Sequence, residues 1–106
     1  MWTGAHARGV PAHRISHWLS ASQAALAGIT LSKGSIAVGR DADLVLWDPD
    51  AESVVDPAAL HHRHPVTPYA GMTLRGRVKT TLLRGEIVFD DDKVVERKHG
   101  KMILSR

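Results

Sequence analysis

Two β-rich runs, one ending at Leu83 and one starting at Glu86, are joined by the dipeptide Arg84-Gly85. So short a glycine-bearing connection predicts a hairpin. A further turn at Asp90–Lys93 leads into Val94-Val95. Upstream, Leu44–Trp47 predicts a short strand, closed by Asp48-Pro49 because proline cannot donate to a sheet ladder. "ESVV" predicts a second short strand, and "DPAAL" a helical turn with Asp56 as cap and Pro57 first. The glycines Gly71, Gly76 and Gly85 suit turns or bulges. Five or so strands follow, with edges and two faces that something must cover.

The cover available within the chain is small. Pro11 suits a helix start, and Ile15, Trp18 and Leu19 form an apolar stripe at i, i+3, i+4. Ser20 or Ser22 caps a second short helix, "QAALAGI", with Gly28 as its stop. The predicted order is a helix pair, a boundary near Ser32–Gly34, then strands. These helices are too short to cover either face of the sheet. The chain reads as part of something larger.

Bulk properties narrow the function classes. A chain of 106 residues has room for one small domain. It has no cysteine, which excludes disulfides and thiolate metal sites and fits a reducing, cytoplasmic setting. No 18-residue apolar run is present, so no membrane span is expected. "MWTGAHARGVPAHR" has no apolar stretch of signal-peptide length. The net charge of +3 comes from scattered basic residues, interleaved with acids at Asp41–Asp56 and Glu86–Asp92. No basic face with interleaved aromatics emerges, so a nucleic-acid partner is not expected.

Candidate chemistry concentrates in "HHRH". In a strand, His62 and His64 would point the same way, and zinc can use such a pair with a third ligand. Pro65 makes a regular strand there doubtful. No acid lies between Asp56 and Glu86, so that ligand would come from His6, His13, His17 or His99. A solvated loop is the plainer expectation. Asp41, Asp43, Asp48 and Asp50 lack the glycine and distant glutamate of a calcium loop, and are expected to bond backbone amides around turns. The same holds for Asp90, Asp91 and Asp92. Neither a nucleophile elbow nor a phosphate loop occurs. No self-sufficient active site is expected, and no catalytic, cofactor-binding or metal-binding residue is assigned.

Three stretches in order, "LSASQAALAGI", "KGSIAVGRDADLVLWDPD" and "TPYAGMTLRGRVKTTLLRGEIVFDD", resemble the C-terminal end of the metal-dependent amidohydrolase superfamily. The likeness spans about residues 8–96. It falls in the cyclic amidase branch of allantoinases, dihydropyrimidinases or hydantoinases, and dihydroorotases. "H-x-x-x-x-T-P-Y-x-G" followed by "L-R-G-R-V-x-x-T-x-x-R-G" is most similar to allantoinases.

The resemblance implies an α+β fragment: residues 1–32 as terminal helices of a (β/α)8 barrel, and residues 33–106 as the C-terminal strands of a composite β-sandwich. It implies ring-opening of a cyclic amide, allantoin to allantoate in purine degradation, at a binuclear zinc centre. That centre activates a water, and an aspartate moves the proton. The family's metal ligands precede the matched region, so none is carried onto this chain, and neither Lys33 nor Lys79 corresponds to the carboxylated lysine. His61 and Tyr69 are candidates to anchor the linker back to the barrel. Ile15, Trp18, Leu26, Leu44, Leu46, Val78, Leu82, Ile87 and Phe89 are the residues expected to matter for folding. The implied partner is the N-terminal part of the enzyme, with homo-oligomers for the whole protein. Two rival readings are a stand-alone β-rich interaction module and a small metal protein built on His61, His62 and His64.

Overall fold

Strands β1 (Leu44–Val54), β2 (Thr73–Leu83), β3 (Glu86–Asp90) and β4 (Lys93–Val94) form one antiparallel meander in the order β1-β2-β3-β4. The computed structural model describes residues 1–95 and 100–103. His99, with Arg97, Lys98 and Arg106 of the basic tail, lies outside the described residues. The β2–β3 turn is the expected two-residue hairpin, with φ of 50° at Arg84 and 84° at Gly85. Both central residues of such a turn need positive φ, which glycine supplies without strain. Asp91 and Asp92 repeat the device between β3 and β4, at φ of 41° and 67°.

Pro49 does not end the first strand. β1 runs through it as one 11-residue strand. The register passes from Asp48↔Arg77 to Glu52↔Arg75, so Pro49–Ala51 face Gly76 in a bulge. The Asp48 carboxylate accepts the amides of Asp50 at 2.9 Å and Ala51 at 3.2 Å. Within a bulge proline's missing N–H costs no ladder bond, so the strand survives it.

The helical part differs in a similar way. After α1 (Trp2–His6), α2 (Ala12–Ser16) continues through a π-helical turn, His17–Ala21, into α3 (Ser22–Leu26) without a break. Neither Ser20 nor Ser22 caps a new helix, for the chain is already helical there. The stop at Gly28 is as expected: Gly28 N donates to Ala25 O at 3.2 Å and Ile29 N to Ala24 O at 3.0 Å, the Schellman pattern. The Pro57–Ala59 turn is capped by Asp56, which accepts Ala58 N at 2.9 Å.

Packing is thin. Among the described residues only Ala5 and Ala24 are buried. Trp18, Leu26, Leu46, Val78 and Ile87 are exposed, Leu26 by 85%; Ile15, Leu44, Leu82 and Phe89 are half-buried. The apolar periodicity located apolar faces, but the described residues leave them largely uncovered. The accessible surface is 8414 Å², whereas a closed globular protein of 11.6 kDa exposes roughly 5,800 Å². The radius of gyration is 15.3 Å, and the extents are 42 × 36 × 21 Å. A closed chain of this length has a radius near 13 Å. The molecule is a slab with raw apolar faces.

Candidate functional site

The densest polar arrangement lies in "KGSIAVGRDAD", between the helix end and the sheet. The loop closes on itself first. Asp41 N donates to Ser32 O at 3.0 Å, and the Arg40 guanidinium donates to Thr30 O and, at 3.1 Å, to Lys33 O. The Lys33 ammonium then bridges two carboxylates, Asp41 at 2.7 Å and Asp43. Lys33's side chain is only 12% exposed, and the two carboxylates satisfy its ammonium there.

The same loop grips both neighbours. Asp43 Oδ1 accepts the Arg84 amide at 2.8 Å, and Gly85 N donates to Ala42 O at 3.0 Å. These two bonds attach the loop to the β2–β3 turn. On the other side, Gly34 presses on α3: a Cβ there would lie 2.5 Å from Ala24 Cβ and 3.2 Å from Ser20 O. The expectation that Asp41 and Asp43 serve local turns thus needs correction. Asp43 reaches a backbone amide 41 positions away, and both acids serve a lysine.

The electrostatics follow from this geometry. Hydrogen bonds from Lys33 to Asp41 and then Asp43 hold its ammonium above the ordinary 10.5. Burial by itself pushes the Asp43 carboxyl up; the Lys33 hydrogen bond and the Arg84 amide outweigh it and hold that carboxyl below 3.8.

A second cluster sits at the bulge. Trp2 Nε1 donates to Pro49 O at 2.8 Å, and the Trp2 ring meets Trp47 edge-on, centroids 5.3 Å apart. Thr3 Oγ1 accepts the Arg75 amide at 2.9 Å. Arg75 pairs with Glu52 at 3.3 Å and Asp50 at 3.5 Å, and contacts His6 Nε2 at 3.2 Å. Sequence reasoning missed Trp2, Thr3 and Arg75, because no local pattern links an N-terminal turn to a strand 72 positions on. The Lys33–Asp41–Asp43 set had a signal: a lysine and two acids of one glycine-bearing loop.

Among the described residues the histidines do not cluster. His61, His62 and His64 lie exposed in an irregular loop, and Tyr69 of the same connection is exposed too. His13 and His17 are exposed on the helix. Among the described residues no three His, Asp or Glu side chains are placed to hold a metal ion. The described residues therefore do not fit the zinc centre that the resemblance implies. An open trough of about 880 Å³ runs between the helix and the sheet, lined by Ile15, Leu19, Val45, Trp47 and Val78, with Lys33 at its rim. It is an apolar trough with one ion-paired end, and holds no nucleophile–base pair among its described residues.

A meander strapped to a helix end defines a small α+β unit of hydantoinase-like fold. A solved D-hydantoinase matches 88% of this chain, and 20% of its own, at 34% identity with a TM-score of 0.82. The sequence agrees: the profile of the Amidohydrolase family matches residues 3–88, and the chain belongs to that family. An allantoinase of Streptomyces avermitilis is 48% identical over 103 residues, covering 97% of this chain and 23% of its own length. One of Rubrobacter xylanophilus is 45% identical over 100 residues, covering 94% and 22%. The chain spans under a quarter of the relatives it matches.

Proposed function

We propose that this chain is the C-terminal scaffold of an allantoin-opening hydrolase. Residues 1–32 supply terminal barrel helices and residues 33–106 the C-terminal strands of a composite sandwich. The partner is the N-terminal portion of the enzyme, which holds the binuclear zinc and the catalytic groups; the whole protein is a homo-oligomer. The reaction adds water to a ring amide: its oxygen joins the carbonyl carbon, the C–N bond breaks, and the nitrogen takes a proton.

The observation that carries this reading is the uncovered surface. The chain exposes roughly 2,600 Å² more than a closed protein of its mass. That excess is on the scale of an obligate interface. The allantoinase relatives support allantoin over other rings. The solved D-hydantoinase favours a second reading, a hydantoin- or dihydropyrimidine-opening enzyme.

Fragment complementation separates them. The chain is mixed with zinc and with the Streptomyces avermitilis allantoinase cut before the matched region. The mixture is expected to open allantoin, and each piece alone to be inactive. Rescue of the Ralstonia pickettii D-hydantoinase cut at the same place, and not of the allantoinase, would select the second reading. Turnover by the 106-residue chain alone, or a stable but inactive complex, would overturn the scaffold role.

A further inference from the structure

The loop Lys33–Asp43 has no part in the chemistry above, yet it bonds itself, its lysine and the β2–β3 turn. We propose that it is a strap: one carboxylate, Asp43, fastens the helix end to the β2–β3 turn, and proton uptake by Asp43 unfastens it. The inference concerns this chain alone and stands whichever ring the enzyme opens.

Each motif position has a place in the device. Asp41 N on Ser32 O and the Arg40 guanidinium on the Thr30 and Lys33 carbonyls close the loop into a ring. Gly34 seats that ring on Ala24, one of the two buried residues, and a side chain there would collide with it. Lys33 draws Asp41 and Asp43 together. Asp43 then spends its second oxygen on the Arg84 amide at 2.8 Å. Ala42 O adds the Gly85 amide at 3.0 Å. Ile36 and Val38 are the exceptions, with side chains fully in solvent.

Asp43 is the hinge of the device because its side chain touches both sides. The charged groups facing it are Lys33 and Asp41 from the strap and Arg84 from the hairpin. Helix α3, "SQAAL", contributes no titratable group. A protonated Asp43 keeps an acceptor oxygen but loses its charge. The ammonium then keeps Asp41 alone, and the amide bond loses its charge-assisted strength. Main-chain contact at Ala42 remains, so release is local.

Amide hydrogen exchange on the full chain tests this. Asp43→Ala is expected to speed exchange at Arg84 roughly tenfold, the worth of one hydrogen bond to a charged group, and to leave Gly85, bonded to Ala42 O, and the central β1–β2 ladder within about twofold. Asp43→Asn, which keeps an acceptor, should fall between. Unchanged protection at Arg84, or equal acceleration throughout β1 and β2, would overturn the strap. A measurement on the unmutated chain guards against a variant that fails to fold. The Arg84 amide chemical shift should titrate together with the Asp43 carboxyl as pH falls, and a flat shift through that titration sinks the proposal.

Discussion

At Gly76 two tryptophans converge. A Cβ there would lie 2.8 Å from Trp2 Cδ1 and 3.1 Å from Trp47 Cζ3, and the backbone sits at φ of 94°. Both steric room and conformation therefore demand glycine. Gly85 shares the positive φ, but its nearest neighbour would be Ala42 Cβ at 4.0 Å. The pair separates two costs. Gly85→Ala is expected to lose about 1 kcal/mol from backbone strain alone. Gly76→Ala should lose roughly 2–4 kcal/mol, because overpacking adds to strain. Urea unfolding of each variant in complex with the complementing N-terminal piece, followed by tryptophan emission, measures both, and equal losses would show that the tryptophans yield freely. Trp2→Phe removes the indole bond to Pro49 O while keeping an aromatic ring against Trp47. It should cost about 1 kcal/mol, read as the same urea midpoint shift. That Gly76 serves a bulge was legible in the sequence. That Trp2 fills the space above it was not, since the contact spans most of the chain.

Elements were legible where a turn residue decided them. Arg84-Gly85 fixed the β2–β3 hairpin, and Gly28 fixed the helix end, because positive φ is a local demand. Pro49 misled for a tertiary reason: the Asp48 carboxylate and Trp2 hold its bulge, so β1 passes through. Ser20 and Ser22 misled because a π turn absorbs them into one helix. The strap itself gives a pH prediction. Asp43 is held below 3.8, so its contribution is complete above about that pH and is lost as pH falls through the lower folded value. Lys33 is held above 10.5, so its contribution is complete below that pH and is lost as pH rises through the higher folded value. Lys33→Met removes the alkaline limb. It also leaves Asp43 with burial and fewer partners, so the acid limb moves to higher pH. Urea midpoints of both chains, each in complex with the complementing N-terminal piece, across the pH range give the answer, and an acid limb unmoved in Lys33→Met would show that Lys33 does not hold the carboxylate.

For the whole molecule, what the sequence could not say is where cover comes from. Periodicity marks Trp18, Leu26 and Val78 as apolar positions, but burial is a property of neighbours, and here the described residues leave all three exposed. Two buried alanines cannot offset the entropy of ordering a chain this long, which costs about 1–2 kcal/mol per residue in the backbone alone. The trough between helix and sheet, about 880 Å³ and lined mostly by apolar side chains, is one such uncovered region. Water filling it gains little from walls with few polar groups, so another chain should. In isolation the nearest such chain is a second copy. The 106-residue protein is therefore expected to elute as a dimer or larger species, with mass by light scattering rising with concentration. Replacing Leu19 and Val45, which both line the trough, by glutamate should disperse those species without restoring a cooperative melt, because the core they would need is still absent. Adding the complementing N-terminal piece should do both: yield one defined complex and one sharp transition. A monomer that melts cooperatively by itself would mean that the slab is stable as it stands, and the uncovered faces would then need a different explanation from a missing partner.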